Sequence, residues 1–334
     1  MASGVRAAHW LDHVAAWAAG RKRLFKEGWG DEALLGRLGP ATRFEEAPAR
    51  VAVTWSKVRA EGRMDAEDGR FTSPVAELPP ASREVVVRRL LPRGAASSAR
   101  RPPIYVVLGA SGEEGFGMRT RLYRPLVEAG QLGVVLVENA LYGARRPAGQ
   151  KSAWIRTVGE QLLMNLAMVE EARALLDALE AEGYDRRGIT GFSMGGAMAA
   201  LVAAVTPRPI AAAIFAAGRS GVPVFNDGLL ATGIDFDALG RGHGGVAGAR
   251  ARIAEIFGAA DLVVHPRPRR PDAAVIVAAQ RDGYVFAEHA EALHAHWAGS
   301  ELRWADTGHA GLLLFHAGLL RQAALDAMSR LGGP

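Results

Sequence analysis

Gly188-Ile189-Thr190-Gly191-Phe192-Ser193-Met194-Gly195-Gly196 is the stretch that decides the fold. Ser193 stands between Gly191 and Gly195, two positions from each. A serine carried on a sharp turn from strand to helix has strained backbone geometry and crowds the residues two away on either side, so only small side chains fit there. The flanks agree with that reading. Residues 187–190 read as the end of a short strand, and residues 197–204 are a run of strong helix formers. The helix N-terminus would aim free N–H groups and the positive end of its dipole at whatever Ser193 attacks. Small residues at a helix–sheet crossing can also serve close packing alone; the strand before and the helix after favour Ser193 as a nucleophile.

Outward from this turn the chain alternates. Upstream, residues 69–72, 84–91 and 104–108 read as strands, the last wholly apolar as a buried central strand should be. A helix follows at 120–129, a strand at 133–137 and a long helix at 154–182. Downstream come a strand at 210–215, a Gly- and Arg-rich pause with one modest helix near 249–256, a strand at 273–279, a helix at 287–297, a strand at 301–305 and a closing helix at 311–331. Strands alternating with helices imply an α/β fold, a mostly parallel central sheet flanked by helices on both faces. The pause at 218–271 reads as a short cap insertion after the sixth strand. Residues 1–66 read as helical, broken at Gly28-Trp29-Gly30, and form an N-terminal extension packed on the core domain of 67–334. In that extension Trp10, Leu11, Val14 and Trp17 share a helical face, interrupted by His9, Asp12 and His13. A helix packed on the domain is expected there ahead of one lying in a membrane interface.

Composition narrows the partners. The 334 residues are 49% hydrophobic and 22% charged, an ordinary globular balance with enough chain to bury a core. The net charge of +5 comes mostly from scattered arginines, with denser clusters at 99–103 and 265–270. These clusters are short, proline-broken loops without the interleaved aromatics of a nucleic-acid face, so no nucleic-acid partner is expected. They leave room for weak peripheral contact with an anionic membrane surface. The absence of cysteine excludes disulfides, thiolate catalysis and cysteine-bound zinc, and neither a metal nor a cofactor is expected. No run of about 18 apolar residues is present to span a membrane, and the N-terminus lacks a signal-peptide core. A cytoplasmic location follows as the expectation, with a peripheral membrane location as its variant.

A serine hydroxyl is a poor nucleophile at neutral pH; it needs a base, and the base needs an orienting carboxylate. On a sheet of this kind they follow in the order Ser, then Asp or Glu, then His, each at the carboxyl end of a later strand. Asp282 lies in Gln280-Arg281-Asp282-Gly283-Tyr284-Val285, just past the strand at 273–279. Asp-Gly is also a common turn, and Asp227, after the preceding strand, is the rival acid. Asp261 sits in the insertion and Asp306 short of the histidine's loop. Of the nine histidines, His309 stands in a small-residue loop, Thr307-Gly308-His309-Ala310-Gly311, whose glycines would let the imidazole swing toward Ser193. His289, His294, His296 and His316 fall on helices, and His243 and His265 in the insertion.

An oxyanion needs preorganised donors, each worth about 2.7–4 kcal/mol. One is expected from the Met194 N–H. The other is expected from Gly109-Ala110-Ser111-Gly112, with Ala110 favoured by position and Ser111 and Gly112 beside it. That loop lacks G-K-[ST], and its Glu113-Glu114 pair would repel phosphate, so a phosphate cradle is not expected. After the strand at 133–137, Tyr142 and Arg145 are placed at the rim of the substrate pocket. Bracing of that loop, with Glu138 paired to an arginine, is the structural alternative.

Several segments together resemble the α/β-hydrolase superfamily, and more narrowly the family of α/β-hydrolase domain-containing protein 18. They are Arg23-Leu24-Phe25 with Gly28-Trp29-Gly30, Phe71-Thr72-Ser73-Pro74, Glu138-Asn139 with Tyr142-Gly143 and Arg145-Arg146-Pro147, the Ser193 turn, and Gly308-His309. The Glu-Asn-x-x-Tyr-Gly segment is the more family-specific of these. The resemblance implies an α/β-hydrolase fold and a serine hydrolase with its triad on Ser193, Asp282 and His309. It also implies a small-molecule or lipid ester substrate, cleaved through an acyl-serine intermediate. Ala-Gln-Arg precedes Asp282 where the family tends toward a lysine–acid pair, and the insertion is shorter here. Acyl transfer on the same triad and a non-catalytic binding protein of the same fold are the competing expectations.

Overall fold

A computed structural model describes residues 7–19, 23–38, 44 and 46–332. Parts of the expected N-terminal extension, at 1–6, 20–22, 39–43 and 45, lie outside the described residues.

Uninterrupted runs of Val, Ile, Leu and Ala make the central strands, because a strand covered on both faces has no outward side for polar residues. The strands are Thr54–Trp55 (β1), Arg59–Glu61 (β2), Met64–Thr72 (β3), Glu84–Pro92 (β4), Ile104–Leu108 (β5), Gly133–Val137 (β6), Arg187–Phe192 (β7), Ala211–Phe215 (β8), Ala274–Ala279 (β9) and Glu301–Ala305 (β10). The helices are Trp10–Ala19 (α1), Glu32–Leu38 (α2), Pro80–Arg83 (α3), Gly117–Glu128 (α4), Val158–Ala181 (α5), Met194–Val205 (α6), Val222–Asn226 (α7), Phe236–Gly240 (α8), Gly245–Gly258 (α9), Ala287–His296 (α10), His309–Phe315 (α11) and Ala317–Leu331 (α12).

One sheet runs β1-β3-β4-β6-β5-β7-β8-β9-β10, with β2 paired to β3. Pairing is antiparallel through β4 and β6, and parallel from β6 across to β10. This is a mostly parallel sheet with flanking helices. The period of two along the strands splits the core. Val106, Ile189, Ile214 and Ile276 face α5 and α6, while Tyr105, Val107, Ala213 and Val275 face α4 and α12. Because the strands from β5 to β10 share one direction, the turns that follow them gather along one edge. In open sheets of this kind that edge is where ligands sit.

Three expectations change. Residues 54–61 are short edge strands, not helix; two and three residues of pairing are too short to leave a periodic signal. The closing helix is two helices, broken at His316. On α1 the orientation is reversed: Trp10, Val14 and Trp17 are 64%, 52% and 68% exposed, whereas Asp12 and Ala16 are buried.

Between β8 and β9, α7, α8 and α9 form a helical insertion. Its Phe225 and Phe257 rings stack at 4.4 Å. The segment Leu24–Trp29 pins the insertion to the body. Leu24 N–H donates to Gly233 O at 2.8 Å, Asp235 N–H donates to Leu24 O at 2.9 Å, and the Trp29 indole donates to Leu239 O at 2.9 Å. Among the described residues, no helix is long and apolar enough to cross a membrane.

Arg145 is wholly buried. It grips Glu171 of α5 with two bonds, at 2.6 and 2.8 Å, and donates to Ser82 O and Glu138 O at 2.7 and 2.8 Å. Arg145→Ala would strand the Glu171 carboxylate in the interior, at a cost of about 3–5 kcal/mol. Urea unfolding should show that loss at unchanged slope; a variant within 1 kcal/mol of wild type, roughly the scale of an exposed pair, would show that the pair is dispensable.

Candidate active site

Ser193 closes β7 and opens α6 with φ 58° and ψ −122°, a backbone region that non-glycine residues rarely occupy. Its N–H donates to Phe215 O at 2.9 Å and its carbonyl accepts from Ala197 N–H at 2.9 Å, so the turn is tied to β8 and to the first turn of α6. The glycines around it are required by space. A Cβ on Gly191 would fall 2.3 Å from the Gly195 carbonyl carbon, and one on Gly195 would fall 2.6 Å from Leu108 O. The result is a half-buried hydroxyl raised above the sheet edge at a helix N-terminus.

His309 begins α11 beyond β10. Its Nδ1 lies 2.7 Å from Asp282 Oδ2, and its ring meets the Phe192 ring edge-on at 5.0 Å. Tyr284 covers the imidazole from another side, also at 5.0 Å. Asp282 is fixed in turn, because its Oδ1 accepts from Tyr284 N–H and Val285 N–H, both at 2.8 Å. Burial alone would push the imidazole pKa down. The Asp282 charge and hydrogen bond outweigh it, with a further push from Asp12, so His309 lies above its ordinary value. Of the rival acids, Asp227 is exposed, Asp261 is bound to Arg219, and Asp306 pairs with Arg281.

The loop after β5 carries the expected oxyanion donors, and its bonding sorts them. Ala110 N–H is taken by Glu113 Oε2 at 3.1 Å, so Ala110, favoured by position, offers no free donor. Gly112 N–H donates to Tyr142 Oη at 3.3 Å. Ser111 N–H has no partner among the described residues, and Ser111 lines the same cavity as Ser193 and Met194. Met194 is the first residue of α6, where an N–H has no intrahelical acceptor.

Tyr142 and Arg145 do not rim the pocket. Both are buried, and the segment they belong to supports the donor loop from beneath. Glu138 accepts from Gly115 N–H at 2.9 Å, and Asn139 Nδ2 donates to Gly109 O at 3.2 Å. Tyr142 holds Gly112, while Arg145 anchors the segment to α5. Glu138 is not paired to Arg145 through its side chain; burial raises its carboxyl pKa against the Gly115 hydrogen bond and the Arg119 charge. Arg119 completes the frame, binding Glu113 at 2.9 Å and the carbonyls that end β5 and β6, Val107 O and Val137 O, at 2.9 and 2.8 Å. Sequence reading missed Arg119, whose place at the start of a helix gives no sign that it turns inward.

Above Ser193 lies a mostly apolar cavity of about 100 Å³. Ala197, Met198 and Leu201 of α6 form one wall, and Phe225, Leu230 and Phe257 of the insertion form the facing one.

A mostly parallel sheet, with a strained serine at the turn from β7 into α6, defines the α/β-hydrolase fold. The comparisons agree. A cold-adapted esterase from an Arctic intertidal metagenomic library superposes with a TM-score of 0.52 at 19% identity, covering 83% of this chain and 99% of its own. An acetyl xylan esterase from Paenibacillus sp. R4 gives 0.57 at 14% identity, over 90% and 97%. An S-formylglutathione hydrolase from Agrobacterium tumefaciens gives 0.51 at 16% identity, over 84% and 100%. At such identities the likeness is one of fold. The family Alpha/beta hydrolase domain containing 18 matches residues 22–245 and 243–330, and the chain belongs to it.

Gly195→Ala tests the packing of the turn. Its methyl would meet backbone oxygens of Leu108 and Gly109, which cannot rotate away as a flexible side chain would. A destabilisation of about 1–3 kcal/mol is expected by thermal unfolding; an unchanged melting temperature would mean that α6 has room to shift.

Proposed function

We propose that this protein hydrolyses carboxylic esters of lipid type through an acyl-serine intermediate on Ser193. The observation that carries the reading is a strained, half-buried serine lining an apolar cavity, with the imidazole of His309, hydrogen-bonded to Asp282, packed against the ring of Phe192, the residue before that serine. In the first half of the reaction Ser193 Oγ attacks the ester carbonyl and His309 takes its proton. The carbonyl oxygen gathers negative charge facing the N–H groups of Met194 and Ser111. Collapse of that intermediate expels the alcohol, which receives the proton from His309. In the second half water repeats the attack, its proton passing to His309 and then to Ser193, and the carboxylic acid leaves. Asp282 keeps Nδ1 protonated and supports the imidazolium that forms twice per cycle.

The cavity supports an apolar acyl group, and its volume supports a short one. A cavity of about 150 Å³ takes up benzene, so the space of about 100 Å³ here fits an acyl chain of roughly four to six carbons. The insertion closes one side of that space and acts as a cap in this reading.

A fluorophosphonate probe should label the protein and fail on Ser193→Ala; equal labelling of both would remove Ser193 from the reaction. Along a series of p-nitrophenyl esters, kcat/KM should peak near the butanoyl to hexanoyl esters, and a maximum at acetyl would contradict the apolar acyl site.

The pH profile gives a separate prediction. His309 must be neutral to act as base, and its pKa lies above the ordinary value of about 6.5. The rate should therefore fall as pH drops through a point above about 6.5. Asp282→Asn removes the raising charge and should move that limb to lower pH, with kcat down roughly 10³–10⁴-fold. An unmoved limb would show that Asp282 is not the partner in solution.

A further inference from the structure

We infer that Asp12, on the N-terminal helix α1, is a positioning residue that holds the acid loop and the base loop in register. The inference rests on the hydrolase reading above, since it assigns a task within that site.

The geometry is that of a three-way clamp. Asp12 Oδ2 accepts from Gly283 N–H at 2.9 Å and from His309 N–H at 2.8 Å, and Oδ1 accepts from Ala310 N–H at 2.9 Å. One carboxylate therefore binds the residue after Asp282, the backbone of His309 itself and the residue after it. Asp12 is wholly buried, and among the described residues its side chain accepts from these three N–H groups. Burying a carboxylate is costly, and backbone N–H donors in number are one arrangement that makes it tolerable.

The rest of α1 is fitted to the same task. His9 N–H donates to Arg281 O at 3.0 Å, and Tyr284 Oη donates to Asp12 O at 3.3 Å. The approach is close enough to forbid side chains opposite. A Cβ on Gly308 would fall 2.5 Å from His9 Cβ and 2.6 Å from Asp12 Oδ2, and one on Gly283 would fall 2.9 Å from Ala8 Cβ. Gly308, read from sequence as freedom for the imidazole, is instead the seat of α1. Asp12 lies on the buried face of the helix, while Trp10, Val14 and Trp17 are exposed. Asp12 lies ahead of residues 22–330, the span that matches the family.

The clamp has two consequences for the proposed reaction. Asp282 and His309 sit on separate loops, after β9 and after β10, and their 2.7 Å bond needs both loops held at fixed separation. Asp12 spans them from below. Its charge also adds to that of Asp282 around the imidazole, favouring the imidazolium. Among the described residues, Asp282, Asp12 and the Tyr284 phenol are the titratable groups that face the ring, and burial raises the Tyr284 phenol to about 12, so it stays neutral.

Asp12→Asn in the full chain is the test. It keeps the size of the side chain and one acceptor oxygen, and removes the charge and the second acceptor. Fluorophosphonate labelling of Ser193 should slow roughly 10–100-fold, the scale of loss when reacting groups are misplaced by about an ångström. KM for a short-chain ester should stay within about twofold, since no substrate contact is lost. The acid limb of the rate should move to lower pH, because the Asp12 charge is lost and the Asp282 bond is less firmly held, whereas a fall in stability that left both in place would not move it. A second measurement needs no variant. In the wild-type protein the amides of Gly283, His309 and Ala310 should exchange with deuterium slowly, although a loop, in the case of Gly283, or a helix N-terminus, in the case of the other two, normally leaves such groups to water.

Fast exchange at all three amides would overturn the clamp. So would Asp12→Asn labelling at the wild-type rate with an unmoved limb. Failure of the hydrolase reading looks different: Ser193→Ala would then label as readily as wild type, whatever Asp12 does.

Discussion

The left-handed backbone at Ser193 is the constraint that orders the rest of the site. A non-glycine residue in that region is strained by about 1–3 kcal/mol, and it stays there only because the surroundings leave no alternative. Phe215 O takes its N–H, β7 fixes one side, and α6 starts at once on the other. The close approach of Gly191 to Gly195, and of Gly195 to Leu108, then follows from the sharpness of the turn. Any larger side chain at those positions would meet backbone atoms and force the strand or the helix to shift.

Around that turn the protein keeps charged groups indoors, and each is bonded on several sides. Arg119 ties the ends of β5 and β6 to Glu113, Glu113 takes the Ala110 N–H, and Glu138, Asn139 and Tyr142 hold the same loop from below. Such networks contribute little stability against an apolar core of equal volume, but half-satisfied ones are severely destabilising. Their effect here is geometric. In the loop after β5 the Ala110 and Gly112 N–H groups are used internally, whereas that of Ser111, which lines the cavity, has no partner among the described residues, and the proposed reaction needs that asymmetry.

The sequence showed the sheet and the serine turn because both leave strong local signals: apolar runs, a helix-forming run, and glycines at fixed spacing. Chain order on such a sheet leads to the expectation that Asp282 and His309 pair, and the two side chains meet at 2.7 Å. What stayed hidden depends on which way a side chain points. Arg145 and Tyr142 look like surface residues in a loop; they turn inward because Glu171 and the Gly112 N–H are there to meet them. Ala110 has the expected place but not the expected free N–H, because Glu113 folds back three residues. Asp12 is the sharpest case. In sequence it interrupts an apolar helical face; in the fold that face is exposed, and Asp12 is buried against two loops more than 270 residues away. A helix that turns an aspartate and an alanine inward and leaves its tryptophans exposed cannot be read from periodicity, since the period is the same for either face.

A crystal structure of the phosphonate adduct would test the central claim, that residues distant in sequence converge on one reacting atom. The expected result is phosphorus bonded to Ser193 Oγ, with its oxygen about 2.7–3.1 Å from the N–H groups of both Met194 and Ser111, and the His309 imidazole turned toward the adduct. An adduct whose oxygen faces solvent, or whose serine has no imidazole beside it, would contradict the assembly described here.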